Sequence, residues 1–187
     1  MRQHVITLLS GRILLLFAFL GLFLAGNASQ AETQVPRSPE KFFFHQGFGD
    51  YQDELATALK EGRKGVLIMF VQDECPFCAK MEARVLNQPA VQDYFRKNFR
   101  IFQVDIYGGQ DVTDFSGREL PQRKFALQYR ARLTPTFVFI GPDGQELTRF
   151  VGFADEDTFL KLGQFVASGA YKETNFMQYK RAQGQKS

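Results

Sequence analysis

The sequence predicts a single α/β domain, and three features point to it. Residues 65–72 are apolar at nearly every position, the pattern of a strand covered on both faces. Stretches with one apolar helical face lie on either side of that run, at residues 50–61 and 77–86. Further along, Gly141-Pro142-Asp143-Gly144 separates two strand-like stretches, residues 136–140 and 146–151, as a hairpin turn does. With 187 residues, 44% of them hydrophobic and 14% aromatic, the chain can bury one ordinary core. The 21 phenylalanines and the lack of tryptophan make that core bulky and leave it without an indole reporter.

The elements follow in order. Residues 1–31 read as an export signal: Arg2 and Arg12 supply a basic flank, residues 13–25 are unbroken apolar residues and glycine, and Ser29-Gln30-Ala31 offers small residues for cleavage. Thirteen residues fall short of the roughly 20 needed to span a bilayer. The alternative is a retained anchor over residues 8–25, and either arrangement places the folded part outside the cytoplasm. Residues 32–41, with two prolines, read as a flexible linker. Phe42, Phe43 and Phe44 then open the domain as core or as a first strand.

A helix is expected over residues 50–61, with Tyr51, Leu55, Ala58 and Leu59 on its buried face and Gly62 and Gly65 ending it. After the central strand, residues 77–86 carry a buried stripe of Met81, Val85 and Leu86. Pro89 breaks or restarts that helix before residues 91–99, and residues 100–106 form a second strand. Residues 108–117 read as a polar inserted connection, and residues 120–131 as another helix. Leu133-Thr134-Pro135 leads into the strand at 136–140. The closing helix, residues 155–168, is capped by Asp155 with acids in its first turn. The domain thus covers residues 42–169, and residues 170–187 form a polar C-terminal tail with occasional aromatic anchors.

The chemistry lies in Cys75-Pro76-Phe77-Cys78, which holds both cysteines of the chain directly after the central strand. Proline suits the first helical position because its missing N–H has no partner there anyway, so Cys75 falls at the N-cap and Cys78 in the first turn. Unpaired N–H groups and the positive end of the helix dipole stabilise a thiolate at that cap. Such placement lowers a cysteine pKa from about 8.5 to between about 3.5 and 7.5. Cys75 is therefore the candidate nucleophile, and Cys78, one turn deeper, the resolving thiol. A structural disulfide is the bland alternative, but a loop this short adds little bracing to a fold.

Charge and the remaining residues exclude other classes. Residues 1–31 hold two arginines and no acid, so 23 basic and 20 acidic residues become 21 and 20 without them. No clustered basic face suggests nucleic acid, which demands grouped lysine and arginine. His45 is the sole histidine outside the signal, and one histidine with two cysteines does not complete a zinc site. It reads as a surface or structural residue. Met69 and Met81 sit in apolar contexts and read as core. No cofactor and no metal are implied.

The order strand, dithiol, helix, strand, helix, Thr134-Pro135 hairpin and last helix resembles the thioredoxin fold over roughly residues 42–169, a central mixed β-sheet flanked by helices. More narrowly, Asp73-Glu74-Cys75-Pro76-Phe77-Cys78-Ala79-Lys80-Met81, residues 99–105, residues 133–139 and Tyr171-Lys172-Glu173 resemble the periplasmic thioredoxins of the SoxW type. The resemblance implies a cis peptide before Pro135, a substrate groove shaped by Pro76, Phe77 and Pro135, and backbone contacts to substrate from Thr134. It also implies electrons from a membrane partner of the DsbD or CcdA kind. Two departures stand out: Glu74 replaces the family's tryptophan before the first cysteine, and Met69 replaces a buried acid associated with proton transfer to the resolving cysteine. Water, Glu74 or Lys80 are the candidates for a different proton path. An exported chain is also removed from the main glutathione pool, which disfavours glutathione as its thiol partner.

Three functions are weighed on these residues. The first is an extracytoplasmic thiol–disulfide oxidoreductase that reduces protein disulfides. The second is copper(I) handling by the two thiolates, for which further methionine or histidine ligands are expected near the dithiol. The third is a non-catalytic docking domain, which the intact cysteine pair disfavours.

Overall fold

In a computed structural model, residues 35–184 build seven helices and six strands; the expected signal or anchor in residues 1–31 lies outside these described residues. A short α1 (Pro39–Phe42) precedes α2 (Tyr51–Lys60), whose first turn is held by the Asp50 carboxylate accepting the Asp53 N–H. The central strand β1 (Gly65–Val71) runs into α3 (Pro76–Met81), which continues as a π-helical turn, Glu82–Leu86. Then come α4 (Pro89–Asn98), restarted by its proline, and β2 (Phe99–Asp105). A ribbon of β3 (Asp111–Thr113) and β4 (Glu119–Pro121) leads to α5 (Gln122–Gln128). The hairpin β5 (Thr136–Ile140) and β6 (Glu146–Val151) is followed by α6 (Glu156–Ala167), a 3-10 turn at Ala170–Lys172 and α7 (Phe176–Gly184).

The main sheet is mixed, in the order β2-β1-β5-β6. β1 is parallel to β2, with Val71 opposite Asp105, and antiparallel to β5, with Phe70 opposite Thr136. Because successive side chains of a strand point to opposite faces, β1 feeds two cores at once. Leu67 and Met69 join Phe95, Phe137, Phe139 and Phe159 beneath α3, α4 and α6. Val66, Ile68 and Phe70 join Tyr51, Phe102, Phe125 and Val138 beneath α2 and α5. Burial on both faces is the reason this strand has no polar positions. Gly65 opens it with φ near +149°, and a Cβ there would lie 2.0 Å from the Ile140 carbonyl oxygen, so no larger residue fits.

The π-helical turn has a packing consequence. Its extra residue lets the adjacent side chains of Val85 and Leu86 both be buried, and α4 then starts cleanly at Pro89.

Several expectations are corrected by packing. Residues 35–41 are not a free linker: Arg37 reaches Asp93 at 2.5 Å and the Pro89 carbonyl, and its Nε donates to Gln92. Gln92, fully buried in α4, donates in turn to the Arg37 and Leu86 carbonyls, so this arm is sewn onto the domain by satisfied polar groups. Phe42 to Phe44 form no strand; they end α1, with Phe43 and Phe44 buried and Phe42 exposed. Leu59 of α2 is exposed too. The inserted connection folds into the β3–β4 ribbon, with Val112 buried against the α2 side, and it takes Leu120 out of the expected helix. The C-terminal stretch is a helix rather than a tail: Phe176 and Tyr179 of α7 pack on Phe165 of α6, and Lys180 donates to Thr158.

His45 proves structural. Its backbone N–H donates to the Ile101 carbonyl and its Nδ1 accepts the Ile101 N–H, so the residue pairs with the outer edge of β2 where a neighbouring strand would lie. Burial, and then the nearby Arg96, Arg63 and Arg100, press its pKa down to about 3, which keeps the imidazole neutral and able to accept.

Candidate active site

The dithiol sits where β1 stops. Glu74, at φ +54°, occupies the left-handed region that a non-glycine residue seldom adopts, and this bend turns the chain so that Cys75 caps α3. Cys75 has extended backbone angles and Pro76 takes the first helical position, as the sequence indicates. Cys75 and Cys78 are joined as a disulfide with their Cα atoms 5.2 Å apart. Cys78 is 6% exposed, whereas Cys75 is half-buried, so only the first sulfur is open to a partner molecule.

Two donors converge on Cys75 Sγ. The Cys78 N–H lies 3.1 Å away and the Thr134 hydroxyl 3.2 Å away. Once the disulfide opens, both face a sulfur that carries charge, where hydrogen bonds are strongest. The α3 N-terminus acts in the same sense.

The loop bearing Thr134 reaches this spot by the sheet's register. Since Thr136 faces both Phe70 and Val151, residues 133–135 and 151–153 lie at the same end of the sheet as the dithiol. The Thr134–Pro135 peptide is cis and Pro135 is buried. The Thr136 hydroxyl donates to the Leu133 carbonyl and the Gly152 N–H to the Pro135 carbonyl, which pins the loop from both sides. Thr134's own N–H and C=O make no backbone hydrogen bond among the described residues. Phe77 and Leu133, 55% and 68% exposed, stand beside Cys75 on its two flanking segments.

The structure brings Cys75, Cys78, Pro76, Phe77, Thr134 and Pro135 to this one end of the sheet. Sequence reasoning gave Thr134 a backbone role and missed its hydroxyl. A residue type able to donate, beside a proline required near the dithiol, was the available signal. It also missed Phe153, whose ring lies 4.1 Å beneath the Lys80 ammonium, and the Ala154 N–H, which donates to Met81 Sδ at 3.4 Å. Of the suggested proton carriers, Lys80 is held on that ring and Glu74 lies on the surface. Met69 is fully buried, so the sheet offers an apolar floor at the position of the family's acid.

Clefts occur elsewhere on the domain. One of about 570 Å³, lined by His45, Gln103 and Gln122 among others, contains no residue of the dithiol or the Thr134 loop. Among the described residues no group of three or more His, Cys, Asp or Glu side chains is placed to hold a metal. Met81, adjacent in the core, has its sulfur facing the Ala154 N–H. Nothing therefore favours the copper(I) reading.

Thr134→Val removes one donor while keeping the shape. A hydrogen bond of this kind contributes about 0.5–1.5 kcal/mol, which corresponds to a Cys75 pKa raised by about 0.4–1 unit and a reduction potential more negative by about 10–30 mV. Thiolate absorbance against pH and equilibration with glutathione measure the two shifts. An unchanged pKa would show that the hydroxyl does not face the reduced sulfur.

Known proteins agree with this geometry. The sequence profile of the thioredoxin-like domain matches residues 51–167. A thiol:disulfide interchange protein DsbD from Pseudomonas fluorescens is 32% identical over 114 residues, which are 60% of this chain and 18% of that protein. The chain thus spans less than a fifth of that relative's length. A thioredoxin from Thermus thermophilus superposes with a TM-score of 0.50 at 30% identity, over 63% of this chain and 83% of the other. A thioredoxin-fold protein from Helicobacter pylori superposes with a TM-score of 0.58 at 20% identity, over 65% of this chain and 85% of the other, a likeness of fold. By matched profile, sheet order and a Cys-x-x-Cys disulfide at the first turn of α3, the chain belongs to the thioredoxin-like family.

Proposed function

We propose that this protein reduces disulfides of other proteins outside the cytoplasm, with Cys75 as nucleophile and Cys78 as resolving thiol. The observation that carries the reading is the asymmetry of the pair: a half-open Cys75 sulfur faced by two donors, and a buried Cys78 behind it. The Cys75 thiolate attacks one sulfur of a substrate disulfide, and the other leaves as a thiolate that takes up a proton. Cys78 then loses its proton and attacks the Cys75 sulfur. The substrate departs with two thiols and the protein is left as the Cys75–Cys78 disulfide, two electrons having moved to the substrate. Pro76 and Phe77 on one side, and Thr134 and Pro135 on the other, bound the groove in which the substrate chain lies.

Each further turnover requires two electrons from outside. A membrane donor of the DsbD or CcdA kind is the partner this implies, and the match to part of a DsbD supports a thiol–disulfide relay as the setting. The SoxW-type resemblance and the apolar run of residues 13–25 support a periplasmic location, with the N-terminal segment cleaved or kept as an anchor. No helix among the described residues is long and apolar enough to cross a membrane. The domain of residues 42–169 is the working unit, extended by the anchored arm before it and by α7 after it.

Insulin reduction by dithiothreitol, followed as turbidity, tests the reading together with the redox equilibrium against glutathione. The protein is expected to accelerate precipitation and to show a potential nearer the roughly −270 mV of thioredoxin than the roughly −120 mV of DsbA. A value near the latter would reverse the direction of electron flow.

A further inference from the structure

We infer that Lys80, seated on Phe153, is a specificity-determining residue that selects disulfides flanked by acidic residues; this rests on the reductase reading above. Four contacts tie the segments around Cys75 into one rim. The Thr134 hydroxyl reaches Cys75 Sγ, and the Gly152 N–H reaches the Pro135 carbonyl. The Ala154 N–H reaches Met81 Sδ, and Lys80 Nζ lies 4.1 Å from the centre of the Phe153 ring. Lys80 is thus held at the rim by an aromatic face, which attracts the cation without neutralising it.

Among the described residues Lys80 forms no ion pair. It lies three positions after Phe77 on α3, so the two share a helical face, and Phe77 is exposed beside the nucleophile. Gly152, which precedes Phe153 and donates to the Pro135 carbonyl, leaves an opening at its own position: a Cβ built on it meets nothing within 4 Å. A polypeptide crossing that opening passes an exposed aromatic ring and an uncompensated ammonium.

Acids also border the site. Asp73 and Glu74, both exposed, immediately precede Cys75, and Asp155 and Glu156 start α6, where the Asp155 carboxylate accepts the Thr158 N–H. Arg132, exposed, precedes Leu133 on the segment that leads to Thr134. Lys80 is thus the cation fixed on the Phe153 side of Cys75, while the acids precede Cys75 in the chain and start α6. The occupant that fits is an extended disulfide-bearing segment with a carboxylate next to its cysteine.

The test uses three synthetic peptides with the same disulfide, flanked by aspartate, by lysine or by neutral residues, and reads kcat and KM for their reduction with dithiothreitol as donor. Wild type is expected to favour the aspartate peptide over the lysine one by about two- to fivefold, mainly in KM and less at high salt, as for an exposed ion pair. Lys80→Glu reverses the order and Lys80→Arg keeps it, with far-UV circular dichroism confirming that both variants fold. A wild type without preference, or a Lys80→Glu variant that retains it, overturns the inference. Failure of wild type on the neutral peptide as well would instead strike the reductase reading beneath it.

Discussion

Cys78→Ser is expected to arrest the protein on its substrates, and Cys75→Ser to silence it. In the first variant the Cys75 sulfur keeps both donors, the residue-78 N–H and the Thr134 hydroxyl, and stays open to attack a disulfide. A serine hydroxyl cannot complete the exchange, so the mixed disulfide accumulates until an outside thiol releases it. In the second, the remaining thiol lies in the core at 6% exposure and no substrate sulfur reaches it. Insulin turnover in both variants is expected to fall to the background of dithiothreitol alone. Non-reducing gels and mass spectrometry distinguish them: covalent adducts form with Cys78→Ser and not with Cys75→Ser. Adducts of equal yield in both would sink the assignment of nucleophile and resolving thiol, and the proteins captured on Cys78→Ser identify the substrates.

The largest loss of stability is expected for Phe95→Ala. This ring, fully buried on α4, stacks on Phe159 at 4.5 Å with 7° between planes and meets Phe43, Phe99 and Phe139 around it. It also lies against Gly163, where even a Cβ would come within 2.8 Å of the ring, so α4 and α6 approach closely across it. Truncation leaves a cavity that rigid aromatic neighbours cannot collapse into, at a cost of about 3–5 kcal/mol. Against a domain stability of about 5–15 kcal/mol, that is a large fraction. For a domain of this size it corresponds to a melting temperature lower by about 10–15 °C. Urea unfolding followed by far-UV circular dichroism gives the number, since the chain has no tryptophan to follow. A change below about 1 kcal/mol would mean that the stacked rings do not share one core.

Local chemistry explains why so much of the site was legible. Cap, proline and thiol spacing in Cys75-Pro76-Phe77-Cys78 act within one helical turn, and Asp155 caps α6 in the same local way. The unbroken apolar run of β1 already implied cover on both faces. Elsewhere local pattern misled. Residues 108–117 look like loop because a three-residue strand carries little periodicity, and only pairing of Asp111 with Pro121 and burial of Val112 make them a ribbon. The C-terminal residues look polar because α7 offers just two aromatic side chains to α6. Arg37 and Gln92 stand 55 residues apart, and nothing in either neighbourhood announces their bond.

By itself, then, the order of residues determined the α/β class, the central strand, the caps and the identity of the reactive pair, because each depends on neighbours a few positions away. The tertiary structure alone decided which groups surround the reactive sulfur: the Thr134 hydroxyl arrives from 59 residues further on, and Phe153 slips beneath Lys80 from the far side of a hairpin. Sheet register brings these segments to one end, and register is set by two cores packing at once on opposite faces of β1.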